Sequence, residues 1–298
     1  MVKIGVIGCG FMGGTHLSAY QLLKDKDVSI TAVADIDKAK AEKFAEKLGA
    51  KVYSSGKELI ENADVNTVDI CLPTYMHYEY ACMAVEKGYN VFVEKPLCRT
   101  SKQAASLVKL AQQKNVLAMV GQCLRFWDEY TYLKDIIDNK TYGNVIYANF
   151  RRFSNRPVWG WENWLMDNFK SGGAALDLHI HDVDFMLYAF GQPKKVHTIT
   201  NKAGEKHSTV LSICSYDNFT VSLEGGWDYP KDYPFQMTYK VIFEKAVVEF
   251  SGGVKVYTAD GVFDAEIKKE STAKSEGLGG NISDLGGYYN ELSYFVNC

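Results

Sequence analysis

Near its start the chain reads Gly8-Cys9-Gly10-Phe11-Met12-Gly13, which is the pattern G-x-G-x-x-G. An apolar run typical of a strand, Lys3–Ile7, precedes the pattern, and a helical run follows it. In such a unit the first glycine permits a tight turn, the second lets the backbone approach a diphosphate, and the third permits close packing of helix and strand. The N–H groups at the helix start then favour phosphate. The cofactor-binding residues predicted from this turn are Gly8, Gly10, Phe11, Met12 and Gly13.

Short β-branched runs alternate with helical runs over roughly the first 120 residues. Two of these runs, Val68–Leu72 and Val116–Val120, are almost continuously apolar, as is typical of strands that are covered on both faces. Strands that alternate with helices form βαβ units and a parallel sheet. We therefore predict an α/β domain of the Rossmann type over residues 1–123, with a dinucleotide bound at its first turn.

The pattern changes after this region. Alternating apolar and polar residues predict strands such as Val145–Phe153, and Asp260-Gly261 is a strong hairpin signal. A long helix is predicted over Gly172–Phe190, and a loop over the Ser- and Gly-rich stretch Ser271–Gly287. These features predict an α+β domain over residues 124–298 with an antiparallel sheet. The helical pattern at Tyr288–Cys298 has no glycine or proline stop, so we expect the natural chain to continue.

Charge and cysteine content restrict the class of partner. The net charge is −3, which disfavours binding to nucleic acid or to an anionic membrane surface because both require a basic face. No apolar run reaches the length of about 18 residues that spans a bilayer, and the N-terminus does not resemble a signal peptide. The seven cysteines include no C-x-x-C pair. We expect a cytoplasmic protein whose partner is a small molecule.

The second predicted strand ends at Ala34-Asp35, and Asp35 follows Gly13 by 22 residues. At this distance a carboxylate binds the ribose hydroxyls of the dinucleotide. The same charge repels a 2′-phosphate, no arginine follows it closely, and Lys38 is the nearest cation in the sequence. The sequence therefore favours NAD over NADP as the cofactor.

Several further motifs occur in order along the chain: Pro73-Thr74 with His77, Glu94-Lys95-Pro96, Gly121-Gln122, and Gly172-Gly173 leading to Asp177-x-x-x-His181. Together with the glycine-rich turn, they resemble the glucose–fructose oxidoreductase / inositol dehydrogenase / MocA family. The resemblance implies a Rossmann domain followed by a domain with an open sheet, and a cis peptide bond before Pro96. It adds these cofactor-binding residues to the predicted set: Leu72, Pro73, Thr74, His77, Glu94, Lys95 and Gln122.

Asp177 and His181 lie four residues apart on the predicted helix, so they share one face of it. Oxidation of an alcohol requires a base for the hydroxyl proton, and the ordinary pKa of a histidine suits that role. The resemblance places Lys95 beside the nicotinamide, where an ammonium stabilises the developing alkoxide. We predict His181 as the base, Asp177 as its orienter or a substrate ligand, and Lys95 as an electrostatic catalyst. Lys95 as the base is the alternative.

A tryptophan-rich stretch, Trp159–Trp164, precedes the predicted catalytic helix. Flat aromatic rings suit the apolar faces of sugars, and a nearby arginine suits hydroxyl groups. The predicted substrate-binding residues are Arg152, Trp161, Asp177 and His181. The strand with Tyr147, Phe150 and Phe153 is predicted to offer an apolar face, and in relatives that face pairs subunits. We expect a homo-oligomer, a dimer or a tetramer, formed through this sheet.

No metal site is predicted. His179 and His181 are two residues apart on the predicted helix and therefore point to different sides. The function predicted from these residues is NAD(P)-dependent hydride transfer to or from a hydroxyl-bearing carbon of a sugar, polyol or cyclitol. Two alternatives remain: a cofactor-sensing regulator of the same fold, and a glycosidase or epimerase that oxidises its substrate transiently.

Overall fold

A computed structural model of the chain describes residues 1–23, 26–200, 208–267 and 285–298. Most of the predicted loop Ser271–Gly287, namely residues 271–284, lies outside the described residues. Two compact units divide the described chain. The first contains Met1–Cys123 and the C-terminal helix, and the second begins at Leu124. The chain leaves the first unit at the boundary predicted from the sequence.

The first unit holds a six-stranded parallel sheet in the order β3-β2-β1-β4-β5-β6. The elements alternate along the chain as predicted: β1 (Val2–Ile7), α1 (Phe11–Leu22), β2 (Val28–Ala34), α2 (Lys38–Leu48), β3 (Lys51–Tyr53), α3 (Gly56–Asn62), β4 (Thr67–Ile70), α4 (Thr74–Glu86), β5 (Asn90–Glu94), α5 (Ser101–Lys114) and β6 (Ala118–Gly121). Every residue of β4 is buried, as expected for a strand covered on both faces.

Local chemistry sets the helix bounds in this unit. The Asp37 and Ser55 side chains accept N–H groups at the starts of α2 and α3, and Thr100 does the same for α5. Gly49 ends α2 in the left-handed conformation, with φ 68°. Among α1 to α5, the two helices that start without a side-chain cap are α1 and α4.

The second unit holds an eight-stranded sheet in the order β14-β13-β12-β11-β7-β10-β9-β8, in which only β7 and β10 pair in parallel. Its elements are α6 (Asp128–Asp138), β7 (Val145–Asn155), α7 (Asn168–Ser171), α8 (Gly173–Asp177), α9 (Ile180–Phe190), β8 (Lys195–Thr200), β9 (Val210–Ser215), β10 (Thr220–Tyr229), β11 (Gln236–Phe243), β12 (Ala246–Phe250), β13 (Val254–Thr258) and β14 (Gly261–Asp264). Short 3₁₀ turns span Cys123–Phe126 and Trp161–Met166. The predicted open, mostly antiparallel sheet is confirmed.

One face of this sheet carries the core of the second unit. Tyr130 on α6 and Phe185 on α9 pack edge-to-face, 4.8 Å between ring centroids, and Phe150 of β7 lies 5.9 Å from Phe185. Since side chains alternate along a strand, Tyr147 and Phe153 lie on the opposite face from Phe150. The prediction that these three aromatic residues share one apolar face is therefore wrong.

The predicted long helix over Gly172–Phe190 is also divided. Gly172 and Gly173 both have positive φ, 86° and 66°, so they end α7 and redirect the chain into α8. A second break follows at Leu178 and His179, before α9 begins at Ile180.

The C-terminal helix α10 (Gly286–Asn297) packs against α1 in the first unit, although the predicted domain division placed it with the second. Its Leu292 and Phe295 are buried in the cluster that contains Leu17 of α1. The Lys26 ammonium donates to the Ser293 hydroxyl at 2.6 Å. An apolar stripe on the last helix therefore completes the core around the first helix. None of the described helices is long and apolar enough to cross a lipid bilayer.

Candidate active site

The glycine-rich turn has the geometry of a main-chain cradle. Gly8 adopts φ 98° and donates its N–H to Ala34 O at 2.8 Å. A Cβ atom added to Gly13 would lie 1.9 Å from Gly8 O, so only glycine permits this approach of α1 to the turn. Nothing lies within 4 Å of the corresponding position at Gly10. Space is thus left open beside Gly10, in front of the uncapped start of α1.

Asp35 follows β2 directly and is fixed beside this cradle. Its Oδ2 accepts the Cys9 N–H at 2.7 Å, and its Oδ1 accepts the Asp37 N–H at 2.8 Å. Each oxygen of an ionised carboxylate keeps capacity for a further donor. Asp35 is therefore oriented by the main chain and remains able to accept ribose hydroxyls.

The other cofactor residues predicted in the first unit follow β4, β5 and β6, at the same carboxyl edge of the sheet. Two of them carry buried polar atoms that have no hydrogen-bond partner among the described residues, namely Thr74 Oγ1 and Gln122 Oε1. An unpaired buried polar atom costs about 1–3 kcal/mol unless water or a ligand supplies a partner. Leu72 and Pro73 are partly exposed beside them. The open space at Gly10 and these two atoms fit a polar dinucleotide along this edge.

His77 has a different role from the predicted one. Its side chain is 1% exposed, with Nδ1 2.8 Å from Pro96 O and Nε2 2.7 Å from Leu72 O. Burial lowers the pKa of His77, against the opposing effect of these two carbonyl groups. Because both ring nitrogens face the protein's own main chain, His77 connects the loop after β4 to the loop after β5 and offers no nitrogen to a cofactor.

Glu94 closes β5, and a cis peptide bond joins Lys95 to Pro96, as the resemblance implies. The Glu94 carboxylate is 4% exposed. Its Oε2 accepts the Lys95 N–H at 3.0 Å, and its Oε1 lies 3.1 Å from His16 Nε2. The structure therefore gives Glu94 a supporting position beneath Lys95 in place of the predicted direct contact with the cofactor.

In the second unit, Asp177 ends α8 and His181 is the second residue of α9. Ala174 O accepts two N–H groups, from Leu178 at 3.0 Å and from His179 at 2.7 Å. The second of these bonds spans five residues, which is the widened turn of a π-bulge, a feature frequent at functional sites. The predicted pair thus lies on either side of a break, and both side chains are partly exposed.

Arg152 is buried and does not match its predicted role as a substrate ligand. Its guanidinium donates to Asp182 Oδ2 at 2.9 Å and Oδ1 at 3.1 Å, and the two side chains are 4% and 0% exposed. A bidentate pair of this kind fixes α9 on β7. The prediction is corrected because the sequence does not show that Asp182 lies opposite Arg152.

The residues around this pair are also engaged within the unit. Asp184 accepts both Arg125 donors, at 2.6 and 2.8 Å, so it does not extend a free acidic stripe from Asp177. His179 is 4% exposed and donates to or accepts from Ser212 Oγ at 3.2 Å. A Cβ atom at Gly225 would lie 2.8 Å from the His179 ring, so this glycine makes room for the buried imidazole. His179 is therefore a core residue of the second unit.

The tryptophan-rich stretch remains accessible. Trp161 is 46% exposed and Trp159 is 65% exposed. Glu162 and Asn163 adopt left-handed φ values of 49° and 52°, which gives the stretch a fixed, irregular shape. Trp161 is therefore available to a ligand or a partner, as predicted for a substrate-binding residue.

Sequence reasoning missed the buried polar side chains behind the functional edge, which are His16, Asp69 and Glu291. A signal was present: Asp69 interrupts the apolar run Val68–Leu72, and a carboxylate in a strand covered on both faces requires a buried partner.

A parallel sheet with a glycine cradle at its carboxyl edge, followed by a large open sheet, defines a dinucleotide-binding oxidoreductase class. Two family models match the chain: "Oxidoreductase family, NAD-binding Rossmann fold" over residues 2–122, and "GFO/IDH/MocA C-terminal domain" over residues 130–249. The chain belongs to the GFO/IDH/MocA family of oxidoreductases, which confirms the predicted family, fold class and nicotinamide cofactor.

Curated relatives and a solved structure agree with this assignment. An uncharacterized oxidoreductase of Streptococcus pneumoniae is 34% identical over 67% of this chain and 53% of its own length. Myo-inositol 2-dehydrogenase of Thermotoga maritima is 29% identical over 64% of this chain and 55% of its own length. The matched region thus spans about half the length of these relatives. The crystal structure of an NAD-binding oxidoreductase from Klebsiella pneumoniae has a TM-score of 0.83 at 23% identity, and the match covers 99% of this chain and 89% of that chain.

Proposed function

We propose that this chain is an NAD-dependent dehydrogenase that transfers a hydride between the nicotinamide and a hydroxyl-bearing carbon of a sugar, polyol or cyclitol. The observation that carries the proposal is the cradle of the first unit, where only glycine fits at Gly13 and space is open at Gly10. The orphaned atoms of Thr74 and Gln122 support it, since a polar ligand would satisfy them. The myo-inositol 2-dehydrogenase relative supports the substrate class.

The residues that would hold NAD are those of the carboxyl edge: Gly8, Gly10, Phe11, Met12, Gly13, Asp35, Leu72, Pro73, Thr74 and Gln122. NAD supplies the hydride acceptor when it is bound. Asp35 favours NAD over NADP because its oriented carboxylate repels a 2′-phosphate. The nearby cations support this preference: Lys38 pairs with Glu42 at 3.2 Å and Lys40 with Asp37 at 3.5 Å.

In the proposed chemistry the substrate hydroxyl loses its proton to His181 as the hydride leaves carbon. Asp177 orients the imidazole or binds a neighbouring hydroxyl, and the Lys95 ammonium stabilises the developing negative charge on oxygen. In the alternative assignment Lys95 is the base, and the same residues take part. Trp161 supplies an apolar face for the substrate ring. Arg152 is not part of this set because it is buried against Asp182.

The test is an NAD-reduction screen over polyols, inositols and sugars with wild type, Lys95→Ala and His181→Asn. We expect each variant to lower kcat by about 10²–10⁴-fold. Matched controls are Lys102→Ala on α5 and His197→Asn on β8, two exposed residues outside the proposed site. Wild-type turnover in both site variants would overturn the roles. Tight NAD binding without turnover of any compound would favour a regulator, and altered sugar without net NADH would favour transient oxidation.

Cofactor preference has its own test in Asp35→Ser. Loss of the carboxylate should raise KM for NAD about tenfold and lower KM for NADP. An unchanged ratio of kcat/KM between the two coenzymes would remove Asp35 from this role.

We also propose a cytoplasmic homo-oligomer, a dimer or a tetramer, formed through the open face of the eight-stranded sheet. All seven cysteines are free thiols, which favours a reducing compartment. The sheet face opposite the core carries the apolar side chain of Ile213, which is 38% exposed and pairs with Ser222, beside a polar contact in which Tyr147 Oη and Ser222 Oγ lie 2.6 Å apart. Light scattering of wild type and Ile213→Glu would test this surface, and a monomeric wild type would exclude it.

A further inference from the structure

Four ionisable side chains meet in the interior of the first unit, directly behind the carboxyl edge. We call His16, Asp69, Glu94 and Glu291 the buried cluster. They come from α1, β4, β5 and α10, and none is more than 4% exposed. Burial of charge is costly unless partners compensate for it, so such a group requires an explanation.

His16 is bonded on both sides of its ring. Its Nδ1 lies 2.9 Å from Asp69 Oδ2, and its Nε2 lies 3.1 Å from Glu94 Oε1. A neutral imidazole carries only one N–H, so its other nitrogen would face a carboxylate with a lone pair. The doubly protonated ring donates to both carboxylates and needs no proton on either of them. Burial acts to lower the pKa of His16, but the Asp69 charge, with Cys71 and the hydrogen bonds of both, holds the pKa well above its ordinary value.

The other groups that face His16 are held neutral. Burial is the main cause that raises the pKa of Glu291, and the charge of Glu94 adds to it. Burial likewise raises the pKa of Tyr20 on α1, of Tyr288 on α10, and of the Cys71 thiol, whose Sγ lies 3.3 Å from His16 Nδ1. The His16 imidazolium is thus the single cation that the cluster holds between Asp69 and Glu94.

The Glu94 carboxylate links the His16 ring to the main chain of Lys95 at the carboxyl edge. Its Oε1 faces His16, and its Oε2 accepts the main-chain N–H of Lys95 at 3.0 Å. The Phe92 ring packs edge-on against the His16 ring, 5.4 Å between centroids, and limits its movement. A rigid chain of contacts therefore runs from α1 through the end of β5 to the peptide of Lys95.

We propose that His16 is a positioning residue: as an imidazolium it fixes the Glu94 carboxylate, and Glu94 fixes the main chain of Lys95. The catalytic consequence rests on the proposed dehydrogenase function, whereas the structural consequence does not. His16 contributes no proton to the reaction. Its effect is on the placement of the Lys95 ammonium.

Two substitutions at one position separate the two bonds of the ring. The side-chain N–H₂ of asparagine takes about the place of Nδ1, and that of glutamine about the place of Nε2. His16→Asn therefore keeps the donor to Asp69 and loses the donor to Glu94. His16→Gln keeps the donor to Glu94 and loses the donor to Asp69. Both variants remove the charge, so each is the matched control of the other.

The first measurement is hydrogen exchange at the Lys95 amide, which needs no turnover. We expect His16→Asn to accelerate this exchange at least about tenfold and His16→Gln to leave it within about threefold of wild type. In the second measurement, kcat with NAD should fall about 10- to 100-fold in His16→Asn and recover most of the wild-type value in His16→Gln, with KM for NAD unchanged in both. Parallel losses in the two variants that follow thermal stability would show a merely structural role and overturn the proposal.

If neither variant folds, nitrogen NMR of wild type labelled at histidine decides the question. We expect both His16 ring nitrogens to carry protons at pH 7, and a neutral ring at this pH would overturn the proposal. Stoichiometric metal in the purified protein would overturn it as well, because ligand atoms of His16, Glu94 and Glu291 lie within 4.8 Å of one another and a metal would replace the ring proton. Exchange that behaves as expected without turnover of any substrate would reject the proposed function and leave the positioning role in place.

Discussion

In the second unit the buried guanidinium of Arg152 meets one carboxylate, Asp182, through two bonds. In the first unit the buried imidazole of His16 meets two carboxylates, Asp69 and Glu94, and a third carboxyl group, Glu291, is buried beside them. A guanidinium keeps its charge at every pH at which the protein is studied, whereas an imidazolium does not. The cation of the buried cluster in the first unit can therefore be lost as pH rises, whereas the cation that Asp182 faces in the second unit cannot.

The units also differ in how they build their functional edges. The first presents main chain at its glycine turn, because Gly13 permits a tight approach to Gly8 O and the position at Gly10 is left open. The second presents side chains, Asp177 and His181, on either side of a widened helical turn. Substitutions should thus act through backbone geometry in one unit and through paired side chains in the other.

The largest expected effect is at the cradle. Gly13→Ala should destabilise the protein by more than about 4 kcal/mol, because the added Cβ meets a main-chain oxygen that cannot move aside. Gly10→Ala should leave stability within about 0.5 kcal/mol of wild type, since the methyl group enters open space, yet it should raise the Kd for NAD at least about tenfold. Urea denaturation measures the stability of each variant, and calorimetric NAD titration measures the Kd of Gly10→Ala for NAD. Equal stability of the two variants would contradict the glycine argument.

The next effect concerns the buried Arg152–Asp182 ion pair of the second unit. Asp182→Ala should destabilise by about 3–5 kcal/mol because it leaves the Arg152 charge buried without a partner. The double variant Arg152→Met with Asp182→Leu should recover most of this loss. The pair Lys134–Asp138 on α6, in which the Asp138 carboxylate is 55% exposed, is the control, and Asp138→Ala should cost no more than about 0.5 kcal/mol. If the single and double variants are equally unstable in urea, packing and not charge holds α9 on β7.

A smaller effect concerns pH. Both His16 and Glu291 have raised pKa values, so the folded protein binds more protons than the unfolded chain as pH increases. The His16 contribution is fully present below about pH 6.5 and is lost as pH rises towards its folded pKa. The Glu291 contribution declines from about pH 4.5 upwards. The lowered pKa values of His77 and His179 act in the opposite direction only up to about pH 6.5, so unfolding free energies measured at pH 7, 8 and 9 should fall with pH.

The variant Glu291→Gln isolates the contribution of Glu291 to this dependence of the unfolding free energy on pH. The variant should be more stable than wild type at pH 8 and equal to it near pH 4, since an amide does not need to bind a proton in order to be buried. Glu46→Gln, at an exposed position on α2, is the control and should not change the slope. A Glu291→Gln variant that loses stability at every pH would mean that the carboxyl group has a bonded partner in solution.

Much of the first unit could be predicted from the sequence because its signals are local. The turn Gly8–Gly13, the alternating runs and Asp35 all depend on neighbours close in the chain, and the structure places each at the carboxyl edge. His77 could not be predicted in its true role, because its partners Leu72 and Pro96 are main-chain carbonyls, which carry no residue signature.

The second unit was harder to predict because its decisive contacts are distant in the sequence. Arg152 and Asp182 are 30 residues apart, and nothing in either segment shows the other. Periodicity predicted one helix over Gly172–Phe190, since it does not register the widened turn at His179. The parallel pairing of β7 with β10 also could not be predicted, because hairpin signals indicate only pairs of consecutive strands.

The position of α10 has a consequence for biogenesis. Synthesis proceeds at about 5–20 residues per second, so the last helix emerges roughly 8–30 s after the sheet that it covers. During that interval the nascent first unit displays the bare apolar side of α1, with Leu17 uncovered. An apolar surface that chaperones can bind is thus exposed until α10 has been synthesised, and premature termination upstream of Gly286 should yield chains that aggregate even though their dinucleotide motif is intact.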